Sequence, residues 1–277
     1  MSVLIWANAL IDATVFHATN ELSGIWNNES AYLLKWVTET EAHMHGALIT
    51  GGSRGFGLAL ASRLVSDGWS IVIDGRDPAT LEDAARALRA EANGGTVVAI
   101  AGDIADPGHR QRLVAATTAF DQLDLVVNNA SVLGPSPQPR LSDYPLAVFE
   151  DVLRVNLIAP LALMQATLGA LRRANGTVVN ITSDAAVEGY EGWGGYGSSK
   201  AGLEQLSHVL AAEEPEVRVY WFDPGDMRTQ MHQDAFPDED ISDRPLPETV
   251  VPTLIELLRQ APPSGRFRGA DFVRVET

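Results

Sequence analysis

From residue 47 onward the chain repeats one pattern: a short apolar run, then a longer segment with apolar residues at helical spacing. ALIT (47–50), SIVID (70–74), TVVAIA (96–101), DLVVN (124–128), TVVNIT (177–182) and VRVYWF (217–222) read as strands, bounded by Gly, Asn, Asp or Pro. Between them, segments such as LALASRLVSDG and ATLEDAARALRAEANGG read as helices with glycine at the exit. Strands that are apolar throughout must be covered on both faces, and parallel neighbours need helical crossovers. The pattern therefore predicts an α/β chain, a doubly wound parallel sheet flanked by helices on both faces. Residues 146–174 read as one long helix in which Pro160 predicts a kink or local break. A closing strand is expected near ADFVRV (270–275).

Two stretches stand outside the alternation. Residues 227–246, rich in Asp and Pro, read as a mobile loop or lid. Residues 1–43 precede the first strand and carry Trp6, Trp26 and Trp36, too aromatic for a disordered tail. Ser30 is placed to cap a short helix bearing Tyr32, Leu33, Trp36 and Val37. The expected organisation is an N-terminal extension over 1–43 and one main domain over 44–277. The extension covers the active site, joins a subunit interface or pads the edge of the domain.

Charge and composition exclude several function classes. A net charge of −16 argues against nucleic acid and against an anionic membrane surface as partners. The absence of cysteine removes disulfides, thiolate metal sites and a cysteine nucleophile. His43 and His45 are close in sequence, but no cluster has metal-ligand spacing, so no metal is expected. The first basic residue is Lys35 and Asp12 interrupts the early apolar run, which fits neither a secretory signal nor a membrane span; a cytoplasmic protein is expected.

Two motifs carry chemistry. TGGSRGFG (50–57) leads from the first strand into a helix with glycines spaced G-x3-G-x-G. Glycines permit a sharp turn and close backbone approach, and the helix N-terminus offers N–H groups to a pyrophosphate. In GGYGSSK (194–200), Tyr196 and Lys200 lie one helical turn apart on the same face. An ammonium group beside a phenol favours the phenolate, so the pair has the makings of an acid/base device; alone, Y-x3-K is common on helix surfaces.

TGGSRGFG, NNAS (128–131), Asn156, Ser183, Tyr196–Lys200 and PGDMRT (224–229) follow the order and spacing of the classical short-chain dehydrogenase/reductase family, which the chain resembles over roughly 45–277. The resemblance implies a Rossmann fold and a ketoreductase chemistry, with hydride passing between a nicotinamide and a small ketone or secondary alcohol. It makes Tyr196 the general acid/base and Lys200 the group that lowers its pKa and holds the nicotinamide ribose. Ser183 would bond the substrate oxygen. Asn156 would complete a proton relay through water to Lys200, or else bond backbone freed at the kink. Cofactor contacts are implied for Gly51, Ser53, Arg54, Gly55, Phe56, Gly57, Arg76, Asp103, Ile104, Asn129, Ala130, Tyr196, Lys200, Pro224, Gly225, Met227 and Thr229. Asp103 either contacts adenine or starts the following turn as a cap. The resemblance also implies a homo-oligomer, a dimer or tetramer. Other reactions on the same scaffold are epimerisation and dehydration, and a non-catalytic NADP(H)-binding regulator is the remaining alternative.

The end of the second strand, SIVIDGRDP, bears on the cofactor. Aligned with the family, Gly75 rather than Asp74 takes the ribose-reading position, with Arg76 next and Arg54 in the glycine turn. Two guanidinium groups suit a 2′-phosphate, so NADPH (NADP+) is expected in preference to NADH. The competing arrangements pair Arg76 with Asp74 or Asp77, or shift the register so that Asp74 reads the ribose.

Three departures from the family are visible: Ser131 in place of a glycine, a C-terminal strand without its glycine-rich ending, and the extension. Expected pocket walls are 132–134, 184–193 and 227–246. Within them Glu188, Tyr190 and Trp193 either meet a ring-bearing substrate or pack the loop, and His232 is either a substrate contact or solvent-exposed.

Overall fold

The computed structural model describes residues 44–272. Its sheet has seven parallel strands: β1 (Gly46–Ile49), β2 (Ser70–Gly75), β3 (Val97–Ala101), β4 (Leu125–Asn128), β5 (Thr177–Ile181), β6 (Arg218–Asp223) and β7 (Gly265–Arg268). Their spatial order is β3-β2-β1-β4-β5-β6-β7. Helices α1 (Gly55–Ser66), α2 (Pro78–Glu91), α3 (Pro107–Thr117), α4 (Leu146–Leu153), α5 (Ala159–Ala174), α6 (Gly194–Glu213), α7 (Gln230–Ala235) and α8 (Pro247–Gln260) connect them. The expected doubly wound sheet is therefore present.

Side chains alternate between two buried layers along each strand, which is why the runs are apolar throughout. Ala47, Ile49, Ile71, Ile73, Leu125, Val127, Tyr220 and Phe222 meet α1, α2 and α8 through residues such as Leu60, Leu64, Leu88 and Leu254. Leu48, Val72, Val126, Val178 and Val219 face the other way, onto Leu113 of α3 and Leu163, Met164 and Leu171 of α5. Each fully buried aliphatic side chain contributes about 2 kcal/mol from area removed from water.

Loop chemistry sets the helix starts. Asp77 accepts from Thr80 N ahead of α2, and Asp106 accepts from Gly108 N and His109 N ahead of α3, each followed by proline. The long helix expected over 146–174 is present, and its break is a π-turn, Arg154–Ile158, between α4 and α5. Pro160 has no N–H for the carbonyl of Asn156 four residues back, so a regular α ladder cannot run through this point.

Two expectations need correction. The closing strand is Gly265–Arg268, and Gly269–Phe272 forms a 3₁₀ turn, so Ala270, Asp271 and Phe272 of ADFVRV do not join the sheet, and its remaining residues lie outside those described. Main-chain pairing with β6 selects the polar GRFR segment despite its weak apolar pattern. The 227–246 stretch is not all loop, since α7 forms within it behind the Thr229 side-chain cap. The 1–43 extension, its Ser30-capped helix and His43 lie outside the described residues. No described helix is long and apolar enough to cross a membrane.

Candidate active site

Connections leave β1 and β4 in opposite directions, which opens a crevice at the carboxyl ends of these strands. The glycine turn enters it from β1. Gly51 and Gly55 have φ of 68° and 58°, conformations that favour glycine. Asn129 Nδ2 donates to the carbonyls of Thr50 and Gly51, at 2.9 and 3.1 Å. A Cβ at Gly57 would strike the Asn129 amide, so this glycine lets α1 approach the clamp. Helix α1 has no side-chain cap at Arg54 and no acidic residue in its first turn. Its N-terminal N–H groups are thus suited to an anion.

Asp74 borders the crevice, but both its carboxylate oxygens are engaged by protein groups. It is 2% exposed. Its Oδ1 accepts from Gly51 N at 2.6 Å, and its Oδ2 lies 2.9 Å from Nε2 of the buried His109. Asp77 caps α2. Both pairings considered for Arg76 are therefore excluded, and among the described residues neither Arg76 nor Arg54 forms an ion pair. Both arginines line the cleft, as does Asp103, one oxygen of which accepts from Ala105 N at 2.8 Å. Asp103 makes a local turn, and the helix cap beyond it is Asp106.

At the other end, β5 delivers Ser183 and α6 delivers Tyr196 and Lys200 to one point. A polar ladder fixes α6 on the sheet: Asn128 Nδ2 donates to Asn180 Oδ1 and Asn180 Nδ2 to Ser207 Oγ, both at 2.7 Å. Glu204 accepts from Thr182 Oγ1 at 2.8 Å and from Arg266 Nε at 2.9 Å. A Cβ at Gly197 would lie 2.7 Å from the Ala185 carbonyl, so glycine lets α6 press onto the turn after Ser183. Lys200 is buried and donates to the Ile181 carbonyl at 2.8 Å, with Nζ 5.4 Å from the Tyr196 ring centroid.

The electrostatics run against one expectation. Tyr196 is 8% exposed, and its pKa lies above, not below, the ordinary phenol value. Burial is the main cause, reinforced by the charges of Asp223 and Asp184 and opposed by the hydroxyls of Ser131 and Ser183. Lys200 is itself lowered to about 8 by burial, and its ammonium is committed to a backbone carbonyl. The lysine lies over the ring, where it does not outweigh desolvation.

Asn156 bonds no backbone of its own helix. Its side chain accepts from Val132 N and donates to Val132 O, both at 2.9 Å, and to Ser199 Oγ at 3.0 Å. It braces the β4 loop against α6 from behind. Asn156 and Gly57 stand outside the cleft wall, and the other catalytic and cofactor residues expected from the sequence line it. The cleft measures about 1160 Å³.

Around Tyr196 the substrate end is aromatic. Trp193 lies edge-on to it at 5.7 Å, and Phe236 packs on Trp193 at 5.7 Å. His232 is not solvent-exposed: it stacks on Phe236 at 4.9 Å and its side chain is 9% exposed. Tyr190 and Glu188 do not line the cleft, and the Tyr190 hydroxyl instead donates to Asp184 Oδ2 at 3.0 Å. Asp184 also accepts from Ser183 Oγ at 2.8 Å. Sequence reasoning missed His109; it had Asp184 only as part of an expected pocket wall and Ser131 only as a departure from the family. Ser131 carried its signal as the residue replacing a glycine, and its hydroxyl lies beside the Tyr196 phenol.

A glycine turn at the switch point of a doubly wound sheet, with a crevice beyond it, defines the dinucleotide-binding α/β class. The residues fit a nicotinamide dinucleotide: an uncapped helix end, two unpaired arginines at one end and a buried Tyr–Lys pair at the other. The chain belongs to the short chain dehydrogenase family, whose model matches residues 45–240. It is 36% identical to sepiapterin reductase of Mus musculus over 197 residues, 67% of this chain and 76% of that protein. It is 35% identical to serine 3-dehydrogenase of Agrobacterium fabrum over 187 residues, 66% of this chain and 72% of the other. An alcohol dehydrogenase from the archaeon Thermococcus sibiricus, solved with 5-hydroxy-NADP, superposes with a TM-score of 0.74 at 27% identity, covering 85% of this chain and all of that one. The protein is thus an enzyme of this oxidoreductase family, whose members use nicotinamide cofactors and act on small molecules.

Proposed function

We propose that the protein is an NADP(H)-dependent ketoreductase that interconverts a small ketone and its secondary alcohol. The supporting observation is the pairing within one cleft of unpaired Arg54 and Arg76 with Ser183 and the buried Tyr196 and Lys200. The names of the sepiapterin reductase relative and the NADP-analogue complex point the same way. When bound, the nicotinamide supplies or accepts the hydride. Arg54 and Arg76 hold the 2′-phosphate, and the N–H groups opening α1 hold the pyrophosphate. Tyr196 donates a proton to the carbonyl oxygen in reduction and takes it back in oxidation. Its raised pKa keeps it protonated across the neutral range. Ser183 and Ser131 present hydroxyls beside the phenol for the developing oxyanion, and Asn156 maintains the spacing behind them.

The test uses NADPH carrying deuterium at the pro-S position of C4, incubated with source-cell extract and the protein. A deuterated alcohol absent from the Tyr196→Phe control is the expected result. Turnover of a substrate with no net change in cofactor redox state would replace the ketoreductase reading with epimerisation or dehydration.

The alkaline limb of the pH profile follows from Lys200, lowered to about 8. Below that pH the ammonium is present and stabilises negative charge developing on Tyr196; above it the charge is lost. Reductive kcat on the ketone so identified is expected to be flat below pH about 8 and to fall above it. A limb only well above pH 10, on the raised side of the ordinary phenol value, would assign the titration to Tyr196 instead.

A further inference from the structure

Beneath the glycine turn lies a buried chain of polar groups. A carboxylate at Asp74, among strand positions otherwise filled by Ile and Val, must be satisfied by donors. Its Oδ1 accepts from Gly51 N at 2.6 Å, and its main-chain carbonyl accepts from Gly52 N at 2.9 Å. Asp74 thus holds two successive N–H groups in the stem of the turn, while Asn129 holds the carbonyls of Thr50 and Gly51 from the opposite side. The N–H groups further along remain for an anion.

The second carboxylate oxygen meets His109, which is fully buried and reaches β2 from α3. Room for the ring comes from Gly102, where a Cβ would collide with the imidazole. Arg112 Nη2 lies 3.3 Å from His109 Nδ1. Arginine can only donate, so Nδ1 accepts and the histidine proton sits on Nε2, donated to Asp74. The donors therefore converge on Asp74: Arg112 donates to His109, His109 donates to Oδ2 and Gly51 N donates to Oδ1, so each carboxylate oxygen beneath the turn faces a donor.

We infer that the Asp74–His109 pair is a positioning device that sets affinity for the dinucleotide by holding the turn, without reading the ribose. The inference rests on the cofactor reading above. Asn at 74 satisfies one neighbour at the expense of the other, because its amide nitrogen must face either the Gly51 N–H or the His109 Nε2–H. Leu at 109 leaves Asp74 Oδ2 buried without a donor, whereas Gln at 109 can still donate.

The experiment measures Kd for NADPH and for NADH by quenching of protein fluorescence in the full chain. Asp74→Asn and His109→Leu are each expected to weaken both nucleotides about tenfold, the loss of roughly one net hydrogen bond, with the NADPH:NADH ratio unchanged. His109→Gln is expected to restore both to within about threefold of the parent. Unchanged affinity in Asp74→Asn, shown to be folded by cooperative thermal unfolding, would overturn the inference. A loss confined to NADH would overturn it too, by placing the carboxylate on the ribose. If His109→Leu does not fold, the Asp74→Asn and His109→Gln pair decides. Failure of the parent protein to bind either nucleotide would remove the cofactor reading and this inference together.

Discussion

Tyr196→Phe is expected to lower turnover by about a thousandfold while leaving the Kd for NADPH within about threefold of the parent, since general acid/base catalysis supplies roughly 10²–10⁴ in rate. The phenylalanine ring keeps the packing against Trp193 and the Lys200 ammonium over its face. What it removes is the hydroxyl that Ser131 and Ser183 adjoin, and with it the proton for the carbonyl oxygen. Removing an oxygen that burial already disfavours in its ionised form should not destabilise the fold. Turnover and thermal unfolding measured on the same preparation check both halves. Turnover unchanged within a factor of two would take Tyr196 out of the mechanism.

The second large effect concerns the far end of the cleft. Arg54→Ala combined with Arg76→Ala is expected to raise the Kd for NADPH about a hundredfold and that for NADH less than about threefold, since charge-assisted bonds to phosphate contribute roughly 1.5–3 kcal/mol each. Neither arginine has a carboxylate partner among the described residues, so the substitution strands no buried charge. Asp74 and Asp77 are already engaged, by Gly51 and His109 and by Thr80. Comparable weakening of both nucleotides would show that the arginines hold something other than a 2′-phosphate.

The features most readable from the sequence are those with short-range causes. Continuous apolar runs follow from burial on both strand faces, and helix starts from Asp-Pro steps. The glycine turn and the Tyr–Lys spacing are local as well. What escaped depends on distant partners. Residues 74 and 75 point to opposite faces of β2, so a one-residue ambiguity decides whether a carboxylate is open to the ribose or engaged by protein groups. The answer lies in His109, 35 positions away. His232 is polar and sits in a polar segment, yet its side chain is largely covered, with the Phe236 ring 4.9 Å away. The direction of the Tyr196 shift also needed burial and the placement of Asp223 and Asp184, neither of which spacing reveals. Strand β7 is recognisable only through its pairing with β6.

The ladder from Asn128 through Asn180 to Ser207 also bears on how this chain can be recombined with its relatives. The three residues come from β4, β5 and α6, and each satisfies a buried neighbour, so a crossover that replaced one of them would orphan an amide in the interior. Those segments form a block to be inherited whole. The 229–246 stretch, by contrast, lines the cleft through Met231, His232 and Ala235 and carries its own short helix behind its own cap. If the cleft works as proposed, the seams for exchanging substrate preference between homologues fall on either side of that stretch, with α6 and the sheet left untouched.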